Sequence, residues 1–198
     1  MDARTLFLDQ HSAAHSAAVA GNKASAAERA FAGLTDEQMR VRPREDLNSL
    51  AWLMWHMARA EDIIVGAVLA GRPQVFDDGW KRRLGITRVD FGIGMTSPEV
   101  TELTRQIDVA ALRDYRDAVG RGTRALVDDF DWNGTIAPEA LTGPAAAGAF
   151  GVRTEGLVKA FGGRPKAAVL SAIALFHSMG HMGEAATVRT AGGFGTGI

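Results

Sequence analysis

Asn48-Ser-Leu-Ala-Trp-Leu-Met-Trp-His56-Met-Ala-Arg-Ala-Glu61-Asp62-Ile-Ile-Val-Gly-Ala67 places Ser49, Trp52, Leu53, His56, Ala60, Ile63, Ile64 and Ala67 at spacings of three and four. That is the period of a helix with one apolar stripe. Asn48 or Asp46 reads as its N-cap, and Gly71-Arg-Pro73 as its stop. An imidazole, His56, sits on the apolar stripe, and a buried ring needs a partner.

The partner is suggested by a second apolar stretch near the C-terminus. After Gly162-Gly-Arg-Pro165 a helix is expected to run to about Thr190, with Leu170, Ile173, His177, Gly180, His181, Glu184 and Val188 along one stripe. Residues four apart on a helix lie about 5–6 Å from each other at Cβ, so His177 and His181 can share one ion. A neutral imidazole reaches zinc at about 2.0–2.1 Å, and His56, His177 and His181 on two helices would leave a fourth position open for water or substrate. Three buried rings without a shared partner would each keep an unmet hydrogen bond. The metal reading is therefore favoured over three independent core histidines.

Glu184 lies on the same stripe, three residues after His181. It is the candidate catalytic residue, as a general base, a fourth ligand or an acceptor that orients a ligand ring; a boundary carboxylate paired with Arg189 is the plainer alternative. Glu61 follows His56 by five residues, which turns it off the His56 face and makes it a structural ion-pair partner. His11 and His15 form a rival i,i+4 pair on an Ala-rich helix expected from about Arg4 to Phe31 and disturbed near Gly21. Solvent-facing or capping roles are favoured for them, with one ring pointing into the cavity beside the metal as the alternative. Trp52, Trp55, Trp80 and Trp132 read first as core and loop anchors, then as pocket walls.

Thr35-Asp-Glu-Gln38 has the form of a capping box and starts a short helix that stops near Pro43. Residues 73–95 read as a long connection. Thr96-Ser-Pro-Glu99 starts a helix expected to run to about Phe130, and residues 133–163, rich in Gly, Ala, Pro and Thr, read as an irregular insertion able to act as a lid or an oligomer contact. The tail at residues 191–198 reads as flexible. Four helices with hardly any strand signal predict an all-α, four-helix bundle in a single domain, an architecture that builds metal sites from side chains on facing helices.

Composition narrows the chemistry. With 198 residues, 46% of them apolar, the chain can bury a core and fold alone or as a simple oligomer such as a homodimer. Lys and Arg total 22 against 23 Asp and Glu, so no basic field suits nucleic acid. Cysteine is absent, which removes disulfides, Cys-ligated zinc and thiol nucleophiles. No stretch has the length of unbroken apolar sequence that a membrane span needs, and the first ten residues do not read as a signal peptide, so a cytoplasmic protein is expected. Neither a phosphate-binding G-x-x-x-x-G-K-[ST] nor a G-x-S-x-G elbow occurs.

The Trp-His56 segment with Glu61 and Asp62, followed far downstream by His177-Ser-Met-Gly-His181-Met-Gly-Glu184, resembles the DinB superfamily of DinB- and YfiT-like metalloenzymes over most of the chain. The resemblance implies a bundle of up-down-down-up order with His56, His177 and His181 on zinc, nickel or a similar divalent ion. It also implies activity like that of thiol-dependent transferases and isomerases, in which the open metal position binds mycothiol, bacillithiol or glutathione and the thiolate attacks a small electrophile. Two features depart from the family pattern: Glu184 stands where relatives often carry Gln, and residues 133–163 map to no family element. A second class of function stays open, a non-catalytic bundle that binds a small ligand or a protein and keeps the histidines as a structural or vestigial site.

Overall fold

A computed structural model describes residues 1–196, and its elements are helices throughout, with one isolated antiparallel bridge, Thr135 to Pro165, among the described residues. Residues 197 and 198 of the expected tail lie outside the described residues. In chain order the helices are α1 (Ala3–Ala14), α2 (Ala17–Ala20), α3 (Ala26–Phe31), α4 (Asp36–Arg40), α5 (Leu50–Glu61), α6 (Asp78–Leu84), α7 (Ser97–Gln106), α8 (Val109–Leu126), α9 (Glu139–Ala146), α10 (Thr154–Phe161), α11 (Lys166–Ser171) and α12 (Ser178–Ala191). Two wider, π-helical stretches extend these runs: Asp62–Leu69 prolongs α5, and Ala172–His177 joins α11 to α12 without a break. The long runs α1, α5, α8 and α11–α12 surround one interior. Among the described residues no helix is long and apolar enough to cross a membrane.

Short polar caps set most helix starts. Asp2 accepts from the Thr5 amide at 2.7 Å, Asp77 from Trp80 at 2.8 Å and Asp108 from Ala111 at 2.7 Å. Thr35 with Gln38, and Thr96 with Glu99, make the expected capping boxes. The cap of α5 is Ser49, whose hydroxyl accepts from the Trp52 amide at 3.0 Å; neither Asn48 nor Asp46 plays this part. Asn48 is drawn away because its side-chain amide donates to Glu184.

Three expected elements divide differently in the structure. The first helix ends at Ala14, where His15 turns extended; the short α2 follows and stops at Gly21 (φ 74°), and the Ser25 cap starts α3. The helix expected from Thr96 to Phe130 breaks at Ile107, because the Asp108 carboxylate caps a new start while its own amide donates to the Leu84 carbonyl at 3.0 Å. The connection at 73–95 holds α6, begun by the Asp77 cap.

Residues 133–163, expected to be irregular, hold α9 and α10 and a main-chain clasp. Ile136 donates to Arg164, Gly163 to Ile136 and Lys166 to Gly134, at 2.8–2.9 Å, which ties both ends of the excursion to the start of α11. Leu141, Ala149 and Phe150 bury themselves with Ile63, Ile64 and Phe91, so packing supplies the order that an uneven Gly/Ala/Pro composition concealed. At the C-terminus Phe194 packs against the core, and Arg189 donates from Nε to its carbonyl at 3.0 Å.

Every residue of α5 is buried, including Arg59 and Glu61. Its continuation opens with buried Asp62, whose carboxylate accepts from Arg59 (3.1 Å), from the Tyr115 hydroxyl (2.6 Å) and from the amides of Val75 and Phe76 (2.8 and 2.9 Å). Arg59 in turn donates to Gln74 (2.9 Å) and to the Val89 carbonyl, and its guanidinium lies over the Phe76 ring. A charge pair this deep is costly to leave half-made. Replacing Asp62 with Ala is predicted to lower unfolding free energy by about 3–5 kcal/mol in urea titrations, whereas Asp46→Ala, which breaks an exposed pair with Arg44, is predicted to change it by less than about 0.5 kcal/mol.

Candidate metal centre

α5 carries His56 into the interior opposite the π-helical turn and first turn of α12, which carry His177 and His181. One ring nitrogen from each of the three lies within 4.8 Å of the others. Ring centroids are 4.9 Å apart for His56 and His177, 4.7 Å for His56 and His181, and 4.6 Å for His177 and His181. The structure therefore brings together all three histidines singled out by the sequence.

Neighbours fix which nitrogen each ring presents. His56 Nδ1 donates to the Phe91 carbonyl, so its proton is held there and the Nε2 lone pair faces His177 Nε2 at 3.0 Å. Two ligands on an ion at about 2.1 Å stand roughly 3.0–3.4 Å apart, depending on geometry, so this separation fits a shared ion. His181 Nδ1 donates to Glu184 Oε2 at 2.8 Å, which leaves its Nε2 for the centre. His177 Nδ1 is buried with no hydrogen-bond partner among the described residues. Two of three rings are thus held in the tautomer that ligation through Nε2 requires, and the donor set of three imidazoles suits zinc, nickel or another borderline divalent ion.

Glu184 keeps both oxygens occupied: Oε2 accepts from His181, and Oε1 accepts from Asn48 at 3.0 Å. It is drawn to the outer side of His181 and is not one of the atoms that converge with the three rings. The hydrogen bond from His181 holds its carboxyl below the usual carboxylate range, so it stays an ionised acceptor.

The centre has a sealed side and an open one. Trp52 stacks on His56 with centroids 4.8 Å apart and planes 8° apart, and Phe91 closes over the ring. His56 is 4% exposed, while the side chain of His181 is 24% exposed, so access is from the α12 side. Burial holds His56 at about 4 and His177 at about 3, both well below ordinary histidine, which keeps their lone pairs free at neutral pH.

Sequence reasoning missed the loop that orients His56. Gly92 follows Phe91 in the left-handed region (φ 85°), and a Cβ there would stand 2.6 Å from the Trp55 ring. Only glycine lets the loop lie this close to α5 and present the Phe91 carbonyl. Asp90 holds the turn by accepting from the Gly92 amide at 2.6 Å, and Arg59 secures the Val89 carbonyl just before it. The glycines at 92 and 94 were visible in the sequence, but nothing there linked them to His56.

The other rival pair also behaves differently from expectation. His11 and His15 are not solvent-facing: both are buried and stacked, with centroids 5.0 Å apart, beside Glu61, and His15 stands at the C-cap of α1, its amide donating to the His11 carbonyl at 2.9 Å. The face of α1 that carries Phe7, His11 and Ala14 is pressed inward, where the rings meet Glu61, the one acidic side chain of α5.

Residues 23–185 match the DinB superfamily model. That span is most of the chain and contains His56, His177, His181 and Glu184, so the chain belongs to the DinB superfamily. No curated protein matches it.

Gly92→Ala is predicted to lower stability by roughly 1–3 kcal/mol through strain at positive φ and the clash with Trp55, measured by urea unfolding. For the ion-free protein the sign of the pH effect follows from the lowered pKa values. Unfolded histidines take up protons near pH 6.5 while folded His56 and His177 refuse them, so stability is present above about pH 6.5 and lost as pH falls toward 4. His56→Gln should flatten that slope, and flat wild-type stability between pH 7 and 4.5 would contradict the burial of neutral rings.

Proposed function

We propose that this DinB-superfamily chain is a divalent-metal-dependent enzyme that joins a low-molecular-weight thiol to a small electrophile, or isomerises a substrate through such a thiol. The observation that supports the reading best is the convergence of His56, His177 and His181 with one side of the centre open at His181. A divalent ion held there, zinc or nickel by its ligands, would lower the pKa of a thiol at the open position and keep the sulfur ready to attack. The chain has no cysteine, so in this reading the thiol comes from a co-substrate.

The protein's own groups orient and insulate. The Phe91 carbonyl keeps the His56 proton on Nδ1, and Glu184 does the same for His181, with Asn48 steadying the carboxylate. Glu184 is in this reading a positioning residue, not the base that meets substrate. Trp52 and Phe91 exclude water from the inner side, which strengthens charge interactions at the centre. A reducing cytoplasm, where small thiols are abundant, is the matching location.

Elemental analysis of untagged protein is predicted to find divalent metal that the His56→Ala/His177→Ala/His181→Ala variant holds about one equivalent short of wild type; unchanged content would reject the site. A screen of mycothiol, bacillithiol and glutathione against small electrophiles is predicted to give metal-dependent turnover. Metal binding without turnover for any of the thiols would favour a non-catalytic binding bundle. Glu184→Ala, which removes the acceptor of the His181 N–H, is predicted to weaken metal affinity about 10–100-fold, and Glu184→Gln, which keeps an acceptor oxygen, to cost less in both affinity and activity.

A further inference from the structure

A second set of donors lies in the interior on the other flank of α5. His11, His15 and Glu61 are 0%, 2% and 1% exposed, and one ligand atom from each lies within 4.8 Å of the others. We propose that these three side chains form a second, fully buried divalent-cation site. The layout resembles that of the first centre: an H-x-x-x-H pair, here His11 within α1 and His15 at its extended C-cap, faces a single ligand from α5. His56 serves α12, and Glu61, five residues on, serves α1. His11 and His15 precede residue 23, where the family match begins.

Three observations carry the proposal. His11 Nε2 and Glu61 Oε1 stand 3.4 Å apart, long for a charge-assisted N–H···O bond of about 2.7–2.9 Å but near the span of two ligands on a tetrahedral ion at about 2.0–2.1 Å. His11 Nδ1, His15 Nε2 and Glu61 Oε2 are buried with no hydrogen-bond partner among the described residues, a pattern that native interiors tolerate only rarely. Gly120 on α8 leaves room for the His15 ring, since a Cβ there would lie 2.4 Å from His15 Nε2.

The surroundings also provide for the proton. Without an ion, the Ser16 amide donates to His15 Nδ1 at 2.9 Å, so the ring carries its proton on Nε2. Ligation through Nε2 would move that proton to Nδ1, which requires the Ser16 amide to give up its hydrogen bond there; Ser16 Oγ, 3.4 Å away and donating its own hydrogen to Asp117 at 2.5 Å, can accept the new N–H. Arg116 works against a dication: it is buried on α8, near Glu61 and His15, but donates to neither. Its removal should therefore tighten the site, which a purely structural ion pair would not predict.

The test is the cobalt stoichiometry of full-length, untagged protein stripped with chelator, read by equilibrium dialysis and the visible spectrum. Wild type is expected to bind two equivalents of Co²⁺; His56→Ala/His177→Ala/His181→Ala is expected to keep one, and His11→Gln/His15→Gln to keep the other. Arg116→Gln is expected to tighten the equivalent retained by the triple-Ala variant by at least about tenfold. One equivalent in folded wild type, abolished by the triple-Ala substitution, overturns the proposal whether or not the His11/His15 variant folds. One equivalent abolished by His11→Gln/His15→Gln and unaffected by the triple-Ala substitution supports this site and rejects the first. Glu61→Gln, which preserves shape and removes charge, is expected to weaken the second equivalent alone, and undiminished binding of both equivalents in that variant also overturns it.

Discussion

Helix α5 is buried on all sides, so most polar groups on it and at its continuation are met from elsewhere in the chain, while Trp55 Nε1, Arg59 Nε and Glu61 Oε2 are left without a partner among the described residues. His56 is met by the Phe91 carbonyl and by His177, Arg59 by Val89 and Gln74, Glu61 by His11, and Asp62 by Tyr115 and the amides of Val75 and Phe76. Unmet, each would cost about 1–3 kcal/mol or more. These obligations fix the 73–95 connection, α1, α8 and α12 around one axis. The candidate metal centre is one consequence of the same constraint that organises the fold.

The centre is therefore supported at some distance from its rings. Arg59 grips Val89, Asp90 folds the turn, Gly92 lets it approach Trp55, and Phe91 then presents a carbonyl to His56. Residues 133–163 join this support from outside. Gly151 lies against Asp90, where a Cβ would meet that side chain at 3.2 Å, and Phe150 packs in the same cluster as Phe91. On the other side, Asn48 and Glu184 steady His181. His56, held by a carbonyl, and His181, held by a carboxylate, thus keep Nε2 turned to the candidate centre.

The helical architecture and the three histidines were legible because both depend on spacing: a 3.6-residue period, and four residues between His177 and His181. Membership of the DinB superfamily was legible from the same residues. What was not legible depends on contacts between segments distant in sequence. The Phe91 carbonyl carries no side-chain signal, Asn48 looked like a cap until its amide was seen to reach Glu184, and His11 and His15 looked peripheral because an Ala-rich helix has a weak period and conceals which face is inward. The breaks at His15 and Ile107 had local signals in Ser16, Ser25 and Asp108 that the wider apolar pattern overrode. The two π-helical stretches, one ending at His177, leave no mark in a residue pattern.

The proposed function requires that His56, His177 and His181 jointly hold one ion with a position left for a thiol. X-ray absorption at the metal edge tests this directly on the His11→Gln/His15→Gln protein loaded with one equivalent of zinc. The expected result is scattering from three imidazoles with nitrogen at about 2.0–2.1 Å, and a new sulfur neighbour at about 2.3 Å once a small thiol is added. Fewer than two imidazoles around the ion, or an unchanged spectrum with saturating thiol, would contradict it.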